Sequence, residues 1–154
     1  MHLSWIKCRE QDIAILLPMM EAFTVGEGRA FVRERCERNL RYLLAHREFG
    51  GVWFIRADNA DIGYLVVTLG FSFEFGGHDS FIDEVYVNAA LRGRGIGTCT
   101  LQFAEQAARA LGARWLHLEA SRRKEGLDNF YACNDFRDRG YFLLSKPLDA
   151  DARD

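Results

Sequence analysis

The run Asp83-Glu84-Val85-Tyr86-Val87, four connecting residues, and then Arg92-Gly93-Arg94-Gly95-Ile96-Gly97-Thr98 decides how the chain is read. A β-rich segment feeds a glycine-rich loop, and the loop opens a helical pattern from about Ile96 to Leu111. The first turn of a helix has backbone N–H groups with no intrahelical partner, and it sits at the positive end of the helix dipole. Such a turn is an anion site. Gly93, Gly95 and Gly97 let the backbone approach a phosphate closely, and Arg92 and Arg94 add charge.

Working outward, Gly112 ends this helix where a left-handed residue is wanted. Arg114 to Ala120 reads as a strand, so strand, crossover helix and strand should form a right-handed parallel unit. Before the loop the pattern is β-rich. Gly51 to Ala57, Ile62 to Phe75 and Ser80 to Val87 are strands separated by turns at Asp58–Asp61 and Gly76–Asp79, which predicts an antiparallel meander. Leu3 to Lys7 is a candidate first strand. Gln11 to Phe23 has helical spacing interrupted by Pro18, and Phe31 to Arg47 is a charged helix with a stripe of Val32, Cys36, Leu40, Leu43 and Leu44. Leu127 to Phe136 is a short helix and Tyr141 to Leu148 a closing strand. The expected fold is one mixed α/β domain over residues 1–148, with a polar tail at 149–154.

Bulk properties narrow the function. At 154 residues the chain can bury one core, and 49% apolar with 27% charged residues is a globular composition. A net charge of −2 argues against a bulk electrostatic hold on nucleic acid. Cys8, Cys36, Cys99 and Cys133 are scattered, as are the four histidines, so no metal site is expected. With no basic segment leading into an apolar run and no stretch of ~20 apolar residues, the expectation is a cytoplasmic protein with no membrane span.

Three phosphate-binding motifs compete for the loop. The Walker motif needs a Gly-Lys-Ser/Thr ending, which is absent. The dinucleotide fingerprint needs glycine where Thr98 stands and should open an alternating βαβ array. Arg-x-x-Gly-x-Gly after a strand resembles the pyrophosphate loop of the GNAT superfamily of acyl-CoA-dependent N-acyltransferases. The resemblance runs over nearly the whole chain. Glu84–Val87 looks like the family's fourth strand, Trp115–Glu119 like its fifth, and Phe130-Tyr131 with Phe136 like its Tyr-x-x-x-Gly-Phe segment. The chain departs from that pattern at Asp135, where the family has Gly, and at Lys124 or Glu125, where it has Asn.

The resemblance implies a mixed, mostly antiparallel sheet whose fourth and fifth strands splay, with acetyl-CoA as co-substrate. Its pantetheine arm would lie along Val85, Tyr86 and Val87, bonded to the backbone of Val85 and Val87, and its pyrophosphate on Arg92 to Thr98. Tyr131 would donate a proton to the departing thiolate, or else is a packed aromatic. The acceptor would be a primary amine on a small molecule or peptide.

An alkylammonium is almost wholly protonated at pH 7 and must lose a proton before it attacks. Glu84 and Glu119, carboxylates inside β-rich segments, are the candidate bases, or plain exposed residues. Period-two alternation puts Glu84 on one face with Ile82 and Tyr86, opposite Val85 and Val87, and leaves Asp83 solvated. Glu74, Glu84 and Glu119 together would suit a cationic acceptor. The aromatics around Glu74 would serve as core or as a homodimer contact. A non-catalytic acyl-CoA-binding regulatory module is the alternative reading; it needs the loop but neither Glu84 nor Tyr131.

Overall fold

The computed structural model describes residues 1–121 and 124–148. Five strands form one sheet in sequence order: β1 (Leu3–Lys7), β2 (Gly50–Ala57), β3 (Ala60–Ser72), β4 (Gly77–Val87) and β5 (Trp115–Leu118). The first four are antiparallel neighbours, whereas β5 lies parallel to β4. Helix α3 (Ile96–Ala110) makes the crossover between them, as strand, glycine loop and helix in that order require.

Two helices, α1 (Ile13–Gly26) and α2 (Arg33–Ala45), pack on one face of the sheet. Leu16, Leu17, Met20 and Leu40 meet Val52, Phe54, Tyr64 and Val66 there. On the opposite face Leu101, Ala104 and Ala107 of α3 meet Trp53, Leu65, Val67 and Ile82. Helix α1 runs unbroken through Pro18. A mid-helix proline costs ~3 kcal/mol, and burying Ile13, Leu16, Leu17 and Met20, at about 1.5–3 kcal/mol each, exceeds it.

Several expectations are corrected. Helix α2 begins two residues later and ends two residues earlier than its pattern suggested, because Val32 is an exposed, extended cap. Helix α3 ends at Ala110, one residue short of its pattern, and buries Thr100, Leu101, Ala104 and Ala108, with Phe103 only partly buried. Phe103 instead stacks on Trp5 at 5.0 Å, and Trp5 donates its indole N–H to Thr100 Oγ1 at 3.4 Å.

No strand forms over Tyr141–Leu148. Tyr141, Phe142, Leu143 and Leu144 are 67–82% exposed. Strand propensity is realised only against a hydrogen-bonding neighbour, and this segment has none among the described residues. Phe71 and Phe73 are also exposed at the β3–β4 hairpin, which removes them from the core. The polar tail at 149–154 lies outside the described residues, so the boundary placed at 148 is not seen.

Helix α4 (Leu127–Ala132) is shorter than its pattern and is followed by Asp135 in the left-handed region at φ 63°. The N–H groups of Asp135 and Phe136 close the helix onto the carbonyls of Ala132 and Tyr131. Aspartate is among the few residues that accept this conformation cheaply, so the turn survives without glycine.

Candidate active site

The pairing of β4 with β5 stops halfway. It runs from Asp79↔Trp115 to Ile82↔Leu118, while β4 continues to Val87. From Glu84 to Val87 the strand keeps β3 on one side and has no β5 partner on the other. This leaves a gap bordered by strand backbone, and an extended ligand can add there like a strand.

The glycine loop follows directly. Gly93 and Gly95 have φ of 74° and 79°, and Gly95 is the left-handed N-cap of α3. The first amide with a helical partner is that of Cys99, bonded to the Gly95 carbonyl. The N–H groups of Ile96, Gly97 and Thr98 therefore precede the helical ladder and suit an anion. Gly97 has a packing role. A Cβ there would meet Phe130 Cζ at 2.9 Å, so only glycine lets α4 lie so close to the start of α3. Arg92 donates from Nε to the Val87 carbonyl at 3.0 Å and so ties the loop to the end of β4.

The main correction concerns the face of β4. Val66 opposes Glu84, but the next residue, Val67, opposes Ile82. Asp83 is an extra residue, a β-bulge, and a bulge resets the alternation. Ile82 consequently packs on the α3 side, whereas Glu84 points to the α1/α2 side with Tyr86. Val85 and Val87 keep the α3 side.

Glu84 opens into a cavity of about 260 Å³ between α1, α2 and the sheet. Its Oε2 accepts a 2.8 Å hydrogen bond from the Tyr64 hydroxyl. Burial raises the carboxyl above its ordinary value; the Tyr64 bond offsets this, Asp83 adds to it, and Arg29 again opposes it. A carboxylate whose proton affinity moves toward neutrality is a better base at pH 7. Tyr64 is 0% exposed and was not singled out by sequence, because an apolar strand context reads as packing.

Tyr64→Phe deletes the offsetting bond, so the Glu84 pKa should rise further. If Glu84 must be ionised to act, the acidic limb of kcat/KM moves to higher pH. A profile that stays in place would separate Tyr64 from the reaction.

Glu119 lies one residue beyond β5 and is exposed. Glu74 pairs with Arg139 at 2.6 Å, beside Phe75 and the β3–β4 hairpin. The structure thus does not gather the three glutamates. Only Glu84 reaches the cavity, joined by Asp83 at its rim.

Tyr131 packs on the α3 side, with ring centroids 5.1 Å from Phe130 and 6.0 Å from Phe136. Burial raises its hydroxyl pKa, and the Glu27 carboxylate adds a smaller push in the same direction. The phenol therefore keeps its proton at neutral pH. Glu27, just past α1, is bonded by Lys124, just before α4. That pair joins the α1–α2 connection to the segment between β5 and α4.

Burial pushes the Cys8 and Cys36 thiols up, Cys8 to about 12. Among the described residues no group of three or more His, Cys, Asp or Glu is placed to hold a metal, and no helix is long and apolar enough to cross a membrane.

The family model described as "Acetyltransferase (GNAT) family" matches residues 17–141. An integron cassette protein from the mobile metagenome of Cole Harbour Salt Marsh is 30% identical, with 94% of this chain and 90% of that one covered and a TM-score of 0.83. Two structures share the fold at lower identity. A predicted acetyltransferase with acetyl-CoA from Clostridium acetobutylicum is 19% identical, covering 94% and 96% of the two chains at a TM-score of 0.77. An aminoglycoside N-acetyltransferase in complex with CoA is 11% identical, covering 96% of each at 0.81. No curated protein matches the sequence.

Proposed function

The chain belongs to the GNAT acetyltransferase family, and we propose that it moves an acetyl group from acetyl-CoA to a primary amine by direct attack in a ternary complex. The acceptor is a small molecule or peptide. The observation that carries this reading is a juxtaposition: the unpaired half of β4 leads into the anion-binding start of α3 and also carries Glu84 into the cavity.

The pantetheine arm would lie against the backbone of Val85 and Val87, and the pyrophosphate against the N–H groups at the start of α3, with Arg94 adding charge. Gly93 and Gly95, where a Cβ would meet nothing of the protein within 4 Å, keep side chains off that path. The amine loses a proton to Glu84, directly or through water, and its nitrogen attacks the thioester carbonyl. A C–N bond forms, the C–S bond breaks, the sulfur leaves with a proton from Tyr131, and the second proton lost from the nitrogen restores the Tyr131 hydroxyl. The products are the N-acetylated acceptor and free CoA. Direct attack is favoured over an acetyl-enzyme because the thiol beside the cavity, Cys36, has its pKa raised by burial, and the thiol form is a poor nucleophile.

Glu84→Gln keeps size and removes charge. The kcat/KM for the amine should fall by at least ~10²-fold, the lower range for a general base, and its pH profile should lose the acidic limb. Glu119→Gln should leave the rate within about twofold, as expected for an exposed residue off the cavity. A damaging Glu119 change beside a silent Glu84 change moves the base to β5. Two silent changes leave catalysis to positioning and to Tyr131.

A further inference from the structure

The cavity beside Glu84 has a charge pattern that selects among amines. One wall is apolar, contributed by Phe31, Leu40, Leu43, Val52 and Val66, while Thr24 and Asn39 add polar lining. Two carboxylates, Asp83 and Glu84, stand at the β4 side. Two guanidinium residues, Arg29 from the α1–α2 connection and Arg35 from α2, line it as well. Arg29 sits with its guanidinium carbon 5.8 Å from the Phe23 ring centroid. It is near enough to both carboxylates to oppose the burial that raises their proton affinity.

Size and charge together exclude most amines. About 260 Å³ is below the ~300–1,000 Å³ of pockets for drug-sized ligands, so the cavity suits a small acceptor, and a polycyclic one would have to extend out of its open side. A polyamine would bring further ammonium groups toward Arg29, and like charges at close range are repelled. A plain alkylamine would use Glu84 and the apolar wall but would bring nothing for the Arg29 guanidinium. An amine that also carries an anion uses all three surfaces at once.

Resting on the acetyl-transfer reading above, we propose that the acceptor is a small zwitterion, a free α-amino acid with an apolar side chain. Its amine faces Glu84, its carboxylate faces Arg29, and its side chain lies on the Phe31–Leu40–Val52 wall. Arg29 is then the residue that sets acceptor specificity.

The test compares free leucine, methionine and phenylalanine with their carboxamides, with isoamylamine and with spermidine, at saturating acetyl-CoA. The free acids should exceed each comparator at least ~10-fold in kcat/KM, about the discrimination one charge-assisted contact supplies. Arg29→Gln should bring the acid-to-amide ratio close to one, and Arg29→Lys should restore much of it. Equal rates for acid and carboxamide, or a preference for spermidine, would overturn the proposal. Calorimetric titration of the same acids into CoA-saturated protein separates the two claims. Acids that bind without being acetylated uphold the pocket and sink the transfer reading. Transfer to other amines with no acid binding sinks the pocket alone.

Discussion

Gly95→Asp should abolish acetyl-CoA binding in titration calorimetry while the far-UV circular dichroism spectrum stays that of the native chain. Gly95 is the left-handed N-cap of α3, with φ 79°, where any side chain is strained, but aspartate tolerates the conformation better than most residues. A Cβ built there meets nothing within 4 Å. A carboxylate at a helix start is favourable for the helix itself, since it accepts from the free amides and opposes the dipole. The substitution therefore fills the anion site with the chain's own charge and repels the pyrophosphate, without breaking the fold. Affinity unchanged in a folded variant would remove the loop from the cofactor site. Gly97→Ala is a poorer probe, because its effect runs through the collision with Phe130.

Tyr131→Phe should lower kcat by ~10²-fold, the lower range for general acid catalysis, with acetyl-CoA affinity nearly unchanged. Only a hydroxyl is lost, and the ring packing against Phe130 and Phe136 is kept. The hydroxyl pKa is raised by burial and by Glu27, so the proton is present at neutral pH and available to a departing thiolate. A full-rate phenylalanine variant would reassign Tyr131 to packing. The lost step should be measured as thiol release in a single turnover, where slow product dissociation cannot mask it.

The loop, the β4–α3–β5 unit and the antiparallel first half were legible because each rests on local signals: alternation, glycine punctuation and helical spacing. At Asp135 the family pattern has glycine, and the left-handed turn forms there without it. What stayed hidden depends on pairing. The bulge at Asp83 leaves no mark on the sequence, because alternation assumes an unbroken register. It is this bulge that turns Glu84 away from Ile82 and toward Tyr64 and the cavity. The closing strand failed for a related reason, since Tyr141–Leu144 has the composition of a strand and no partner among the described residues. Arg29 follows Val25-Gly26-Glu27-Gly28, and a cation next to a glycine loop was a signal that went unused. Tyr64 offered none, because a tyrosine among Gly63, Leu65 and Val66 reads as core until its hydroxyl is seen beside a carboxylate.

The central claim is that one site joins a thioester donor held at the start of α3 to an amine held beside Glu84. It is tested most directly by following free CoA thiol while the purified protein is mixed with acetyl-CoA and a panel of primary amines. The account predicts amine-dependent thiol release matched one-to-one by N-acetylated product, lost in Gly95→Asp and reduced in Glu84→Gln. Thiol release that does not depend on any amine, or acetyl-CoA bound with no release at all, would contradict it.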